Sequence, residues 1–171
     1  MKNFFLIIIV FLSSLIGYLY GERFKNRLVQ LKELKRALID FENDITYTYT
    51  TLPESIENIS IKAKSPIKEL FNEISLKLKN NQVENVYMAF KESINEHKKK
   101  MSLKDKDFEI LLDLSKSLGE TNVYGQVKIF NLAKEKLNIE LEGAEEECNK
   151  NIKVYRYLGV SLGAMIAIFL F

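Results

Sequence analysis

Tryptophan is missing from this 171-residue chain, and cysteine and histidine each occur once, as Cys148 and His97. A single thiol excludes an intrachain disulfide and any zinc site built on cysteines. A net charge of +2 is too small to argue for a nucleic-acid partner. Two prolines and seven glycines leave long stretches free to be helical without interruption. No glycine-rich phosphate loop and no G-x-S-x-G nucleophile motif is present. No stretch sustains period-two alternation with β-branched residues, so strands are not expected. What remains is a helix-forming chain of about one domain, all-α, with no catalytic, metal-binding or cofactor-binding residues to assign, and therefore not expected to be an enzyme.

Its apolar residues are strongly segregated. Residues 4–19 carry no charge, and with Tyr20 and Gly21 the run is just long enough, at about 1.5 Å per residue, to cross about 30 Å of hydrocarbon. Tyr18 and Tyr20 fall where an interfacial aromatic belt belongs. Lys2 would suit a signal peptide, but Glu22 and Arg23 stand where small cleavage-site residues would be needed, so residues 1–21 are expected to be a retained transmembrane anchor. Residues 158–171 read as a C-terminal apolar membrane segment, also uncharged but short for a span, so either a full span, a shallow or re-entrant anchor, or a segment packed on the first helix. Tyr155 and Tyr157 would extend them, with Lys153 and Arg156 reaching to headgroups. Gly159 and Gly163 have the G-x-x-x-G spacing that permits close helix approach, a spacing that also arises by chance. Arg23, Lys25, Arg27, Lys32, Lys35 and Arg36 follow the first run; Lys150, Lys153 and Arg156 precede the second. The positive-inside rule then places the middle of the chain in the cytoplasm.

Residues 22–157 read as a helical bundle. Leu31, Leu34, Leu38, Phe41 and Ile45 recur three and four apart, a core-facing stripe on a helix continuing from the anchor to about Tyr49. Thr51 and Glu54 have capping-box spacing ahead of a short helix through Ile56 and Ile59. Ser65 and Pro66 signal the next start, and Asn80 and Asn81 the next stop. A further helix carries Val83 to Ile94 and ends near His97. Ser102 is expected to cap a helix with Phe108, Leu111 and Leu114, closed by Gly119. The last helix is predicted over 122–157, about 54 Å long, running into the C-terminal apolar segment. Its stripe is Val127, Phe130, Leu137, Leu141, Ala144, Cys148 and Tyr155, broken by Lys134 and Asn151. Gly143 marks either close packing or a bend.

Few side chains invite a functional role. His97 sits in a basic run and reads as a solvated helix end. Cys148 lies on the apolar stripe and reads as a small core residue. Glu145, Glu146 and Glu147 point in different directions on a helix, which suits a solvated, partner-facing surface rather than a metal cluster. Lys98, Lys99 and Lys100 are the matching basic candidate for partner binding. Tyr47 and Tyr49 with their flanking threonines are either a polar contact surface or helix-end packing.

Several local strings stand in a recognisable order. After the first apolar run come Arg27-Leu28-Val29-Gln30-Leu31-Lys32-Glu33-Leu34, then Glu42-Asn43-Asp44-Ile45-Thr46-Tyr47 leading to Thr51-Leu52-Pro53-Glu54. Near the other end stand Leu118-Gly119-Glu120-Thr121, Gln126-Val127-Lys128, and Asn151-Ile152-Lys153-Val154-Tyr155-Arg156-Tyr157-Leu158-Gly159. In these the chain resembles the stage III sporulation protein AB family of endospore-forming bacteria, over roughly residues 17–60 and 118–171. It departs where the family's turn usually reads Thr-Pro-Leu, since Pro53 here follows Leu52. It departs again at Asn122, Gly125 and Ile129, where Asp, Asn and His are common.

The resemblance implies a component of a secretion-like channel linking mother cell and forespore, seated in the mother-cell membrane that surrounds the forespore. It further implies helical domains similar to those of the platform protein of type II secretion systems. Such a platform would couple a cytoplasmic ATPase to the other channel proteins in the membrane, with no small-molecule substrate of its own. The alternative is an extracytoplasmic helical sensor or connector between two spans, which would need a separate signalling partner.

Overall fold

A computed structural model of the chain describes residues 2–118 and 123–170. Six α-helices follow one another: α1 (Lys2–Thr46), α2 (Leu52–Lys62), α3 (Ile67–Lys79), α4 (Val86–His97), α5 (Asp105–Ser117) and α6 (Val123–Leu170). A 3-10 turn, Lys98–Lys100, follows α4. No strand occurs among the described residues. Gly119, expected to close α5, and Asn122, expected to open α6, lie outside them, as does the side chain of Arg156.

The chain divides into two compact units. The larger, Val29–Leu141, is a helical bundle. Within it the α1 stripe is fully withdrawn from solvent at Leu31, Leu34, Leu38 and Phe41, and nearly so at Ile45. Ile56 and Ile59 of α2, Phe71 and Ile74 of α3, Phe90 of α4, Leu111 of α5, and Phe130 and Leu137 of α6 are buried with it. Each such side chain contributes about 1.5–3 kcal/mol by leaving water. Phe41 and Phe130 meet edge-to-face at 5.2 Å, and Phe71 and Phe90 at 6.4 Å. Beside the first pair, the Lys134 ammonium binds the Glu42 carboxylate at 2.5 Å with both groups mostly buried. The apparent polar break in the α6 stripe is therefore an ion pair to α1. Glu33 accepts from Arg36 at 2.6 Å and from the Lys64 backbone at 2.9 Å, so the end of α2 is tied to α1. The Arg36 hydrogen bond holds the Glu33 carboxyl below its usual range.

The helix boundaries follow local chemistry with several differences from the expected caps. Thr51 precedes α2, but its hydroxyl donates to the Glu54 carboxylate at 2.9 Å rather than accepting from the backbone. Ser65 is not the cap of α3; Pro66 takes that position and the Ser65 hydroxyl donates to Glu69. α3 stops at Asn80, and Asn81 adopts a positive φ of 49°. α4 begins at Val86 rather than Val83, because Asn85 is the better cap: its side-chain oxygen accepts from the Met88 N–H at 2.9 Å. Ser102 does not cap α5. Its N–H donates to Gln30 of α1 at 2.8 Å, and the helix starts three residues later, where the Asp107 carboxylate accepts from the Lys104 N–H.

The smaller unit, Met1–Leu28 with Glu142–Phe171, pairs the first part of α1 with the last part of α6. The two run antiparallel, since Gly17 meets Gly159 while Gly21 meets Ile152. The Ser13 hydroxyl donates to the Gly159 carbonyl at 2.7 Å. Further along, Tyr155 stacks on Tyr20 and Phe24 at 5.8 and 5.6 Å. Gly17, Gly159 and Gly163 face inward, whereas Phe11, Leu12, Leu15, Ile16, Leu158, Met165, Ile168 and Phe169 face outward. Among the described residues no helix is long and apolar enough to cross a membrane. The side chains of residues 2–7, 9 and 10, most of the first half of the uncharged run, lie outside them.

The glycines differ sharply in surroundings. A Cβ on Gly159 would sit 2.9 Å from the Ser13 carbonyl and 3.1 Å from the Gly17 Cα, both backbone atoms that cannot turn aside. Gly143, expected to mark close packing or a bend, meets nothing within 4 Å, so the close-packing reading is wrong there. Gly159→Leu should therefore weaken the helix pair, whereas Gly143→Ala should stabilise the chain by about 0.5–1 kcal/mol through helix propensity alone. Thermal unfolding of the full chain followed by circular dichroism checks both signs.

Candidate functional site

The three lysines of Lys98–Lys100 owe their exposure to how α4 ends. The helix tightens into a 3-10 turn, in which the Met101 N–H donates to the Lys98 carbonyl at 3.2 Å. Met101 and Leu103 then bury themselves, and Ser102 is held by Gln30. The chain is thus pinned immediately after the turn, and all three ammonium groups stand in solvent. They form an exposed, positively charged turn.

The acidic run on α6 behaves differently. Glu145 and Glu146 are exposed, but Glu147 turns to the buried Arg27 of α1, whose guanidinium donates to it at 3.3 Å. Glu147 therefore works inside the fold as well as at its surface. Lys98, Lys99 and Lys100 belong to the larger unit, and Glu145, Glu146 and Glu147 to the smaller.

One cluster was missed by reading the chain residue by residue. Lys77 of α3 is a buried lysine whose ammonium lies 3.0 Å from Glu96 and 3.3 Å from Glu92 of α4, and 3.9 Å from Glu73. His97 is half-buried beside them, with a ring nitrogen within 4.8 Å of carboxylate oxygens of Glu73 and Glu96. It is thus not the solvated helix end expected from its basic neighbours. The signal was present as two helical spacings, Glu73 to Lys77 and Glu92 to Glu96, but nothing local says that the two pairs face each other. A Glu, Glu, His set has the donors for a divalent ion. Here the Lys77 ammonium already supplies the positive charge, and a metal would have to displace it.

Two further sequence candidates take clear positions. Cys148 is buried as a small core residue. Tyr47 and Tyr49 do not pack on a helix end; they are 78% and 75% exposed. Tyr49 holds a positive φ of 53°, and the turn is tied by Thr48, whose hydroxyl donates to the Asp44 carbonyl at 2.6 Å, and by the Thr50 N–H on the same carbonyl at 2.9 Å. An open groove of about 540 Å³ lined by Leu52, Asn85, Tyr87, Ser115 and Lys116 holds no acid–base pair.

The hydrogen bond to Glu96, with that to Glu92, raises the Lys77 pKa against the effect of burial. A raised lysine stabilises the fold fully below the ordinary lysine value and loses that contribution as pH climbs through the raised value. Lys77→Gln should therefore cost about 1–2 kcal/mol at neutral pH. The gap to the parent chain should close in strongly alkaline buffer, as read by thermal unfolding at both pH values. An equal gap at both would mean that the ammonium contributes nothing.

Comparison with known proteins agrees with this architecture. The family model described as Stage III sporulation protein AB matches residues 2–171. Stage III sporulation protein AB of Bacillus subtilis (strain 168) is 26% identical over 164 residues, covering 96% of this chain and 95% of that protein. A solved structure of a Stage III sporulation protein AB superposes with a TM-score of 0.66 at 26% identity, covering 72% of this chain and 96% of that one. With an all-helical fold, the sequence strings in their expected order and a match along nearly its whole length, the chain belongs to the stage III sporulation protein AB family.

Proposed function

We propose that the protein is a non-enzymatic membrane platform in a sporulation-specific, secretion-like channel complex linking mother cell and forespore. Both ends anchor it in the mother-cell membrane surrounding the forespore. The larger unit lies in the cytoplasm, where it couples an ATPase to the membrane assembly. The observation that carries the membrane part is the inverted packing of the smaller unit. Small residues, Gly17, Gly159 and Ser13, fill the helix contact, while Phe11, at 66% exposure, and Ile168, at 77%, point away from it. Water-soluble helices bury large apolar residues and lipid-facing ones do the reverse, because hydrocarbon does not drive large side chains inward. The lysine and arginine residues following the first apolar run and preceding the second favour the cytoplasmic side. The sequence holds no phosphate-cradling loop, so ATP hydrolysis is assigned to the partner. Docking is assigned to Lys98, Lys99 and Lys100 and to the face bearing Glu145, Glu146 and Glu147.

Sidedness tests the proposal. With Cys148→Ser as background, Lys99→Cys should react with a membrane-impermeant maleimide only after cells are permeabilised. Reaction in intact cells would sink the cytoplasmic platform and favour an extracytoplasmic sensor or connector. Charge reversal at Lys98, Lys99 and Lys100 should reduce recovery of the channel complex by co-purification; full recovery would remove those lysines from the docking surface.

A further inference from the structure

The aromatic and basic residues at one level of the smaller unit form a surface with a definite chemistry. Tyr155 lies between Tyr20 and Phe24 across the helix pair. The Arg23 guanidinium covers the Tyr20 ring at 5.3 Å. The register that sets Gly21 against Ile152 puts Arg23 level with Lys150 and Lys153, which share one face of α6.

Two of the nearby acids are already engaged, while Glu146 stands exposed one turn before Lys150. Glu22 binds Lys25 at 3.2 Å, and Glu147 binds Arg27. Arg23, Lys150 and Lys153 are exposed and form no ion pair among the described residues. These three exposed cations, with Arg23 over the Tyr20 ring, lie just beyond Leu19 and Leu158, where the uncharged runs of the sequence give way to charged residues. Cations at that boundary meet lipid phosphates, and an aromatic ring beside them has one apolar face and one wet edge.

From this juxtaposition we infer that Arg23, Lys150 and Lys153, with Tyr20 and Tyr155, form a binding surface for anionic phospholipid headgroups. The inference rests on the membrane reading above and adds to it a choice among lipids. A zwitterionic headgroup brings its own cation and gains little from this surface. A phosphatidylglycerol headgroup carries net negative charge and takes charge-assisted hydrogen bonds from it.

The test reconstitutes the full chain into phosphatidylcholine vesicles with and without phosphatidylglycerol. Spin-labelled versions of the two lipids report which is held at the protein surface. The parent chain should hold phosphatidylglycerol in preference at low salt. The preference should fall by up to roughly fivefold for each cation removed in Arg23→Gln, Lys150→Gln and Lys153→Gln. Concentrated salt should erase it. Lys150→Arg with Lys153→Arg should retain it, which separates loss of charge from loss of structure. Equal retention of both lipids, or a preference that survives the three glutamines, would overturn this inference while leaving the membrane anchor standing. Failure to enter either kind of vesicle would overturn both.

Discussion

Leu31, Leu34, Leu38 and Phe41 form a stripe along α1 that α1 alone cannot shield. A single helix exposes its whole surface, so each of these side chains leaves water only when other helices cover it. In the larger unit that cover comes from residues far away in the chain, Phe130 and Leu137 of α6, with the short helices α2 to α5 supplying Ile56, Ile59, Phe71, Phe90 and Leu111 to the same core. The ion pair of Lys134 with Glu42 shows the same constraint from the polar side. Once α6 is packed on α1, a lysine within the contact has to bring its counter-charge, because an unpaired buried cation is strongly unfavourable. Arg27 and Glu147 repeat the arrangement in the smaller unit.

The periodic features were legible in the sequence. A three-four repeat of apolar residues is a property of one helix, and it marks the buried faces of α1 and α6 without reference to any neighbour. Asn80 and Asn81 as a stop were equally local. The start signals were harder, because Ser65, Ser102 and Asn85 all carry cap-forming side chains. Only Asn85 is placed to use its own, while the backbone of Ser102 is claimed by Gln30. Lys77 lay beyond local reading for a related reason. Its partners Glu92 and Glu96 are set by how α3 and α4 cross, which no spacing within either helix reports.

The candidate surfaces also differ in how much the rest of the chain constrains them. Lys98, Lys99 and Lys100 are displayed by a turn clamped at Met101 and Ser102, so their positions are set by burial next door. Tyr47 and Tyr49 are presented by a turn whose threonines bond back to the Asp44 carbonyl region, with one residue held at a backbone angle that non-glycine residues seldom adopt. Glu147 has two claims on it, an internal guanidinium and the solvent, and a partner approaching that face would compete with Arg27.

The contact between Gly17 and Gly159 has a consequence for how such a chain can change over generations. Its atoms are backbone on both sides, so neither residue can grow by a methyl group while the other waits to adapt. Stepwise drift at either position is closed. A lineage that departs from this pair has to shift the two helices first, which would also move the Ser13 hydroxyl from the Gly159 carbonyl and Tyr155 from its two aromatic neighbours. The two glycines, 142 residues apart, are therefore coupled sterically, and a side chain at either requires the helices to move.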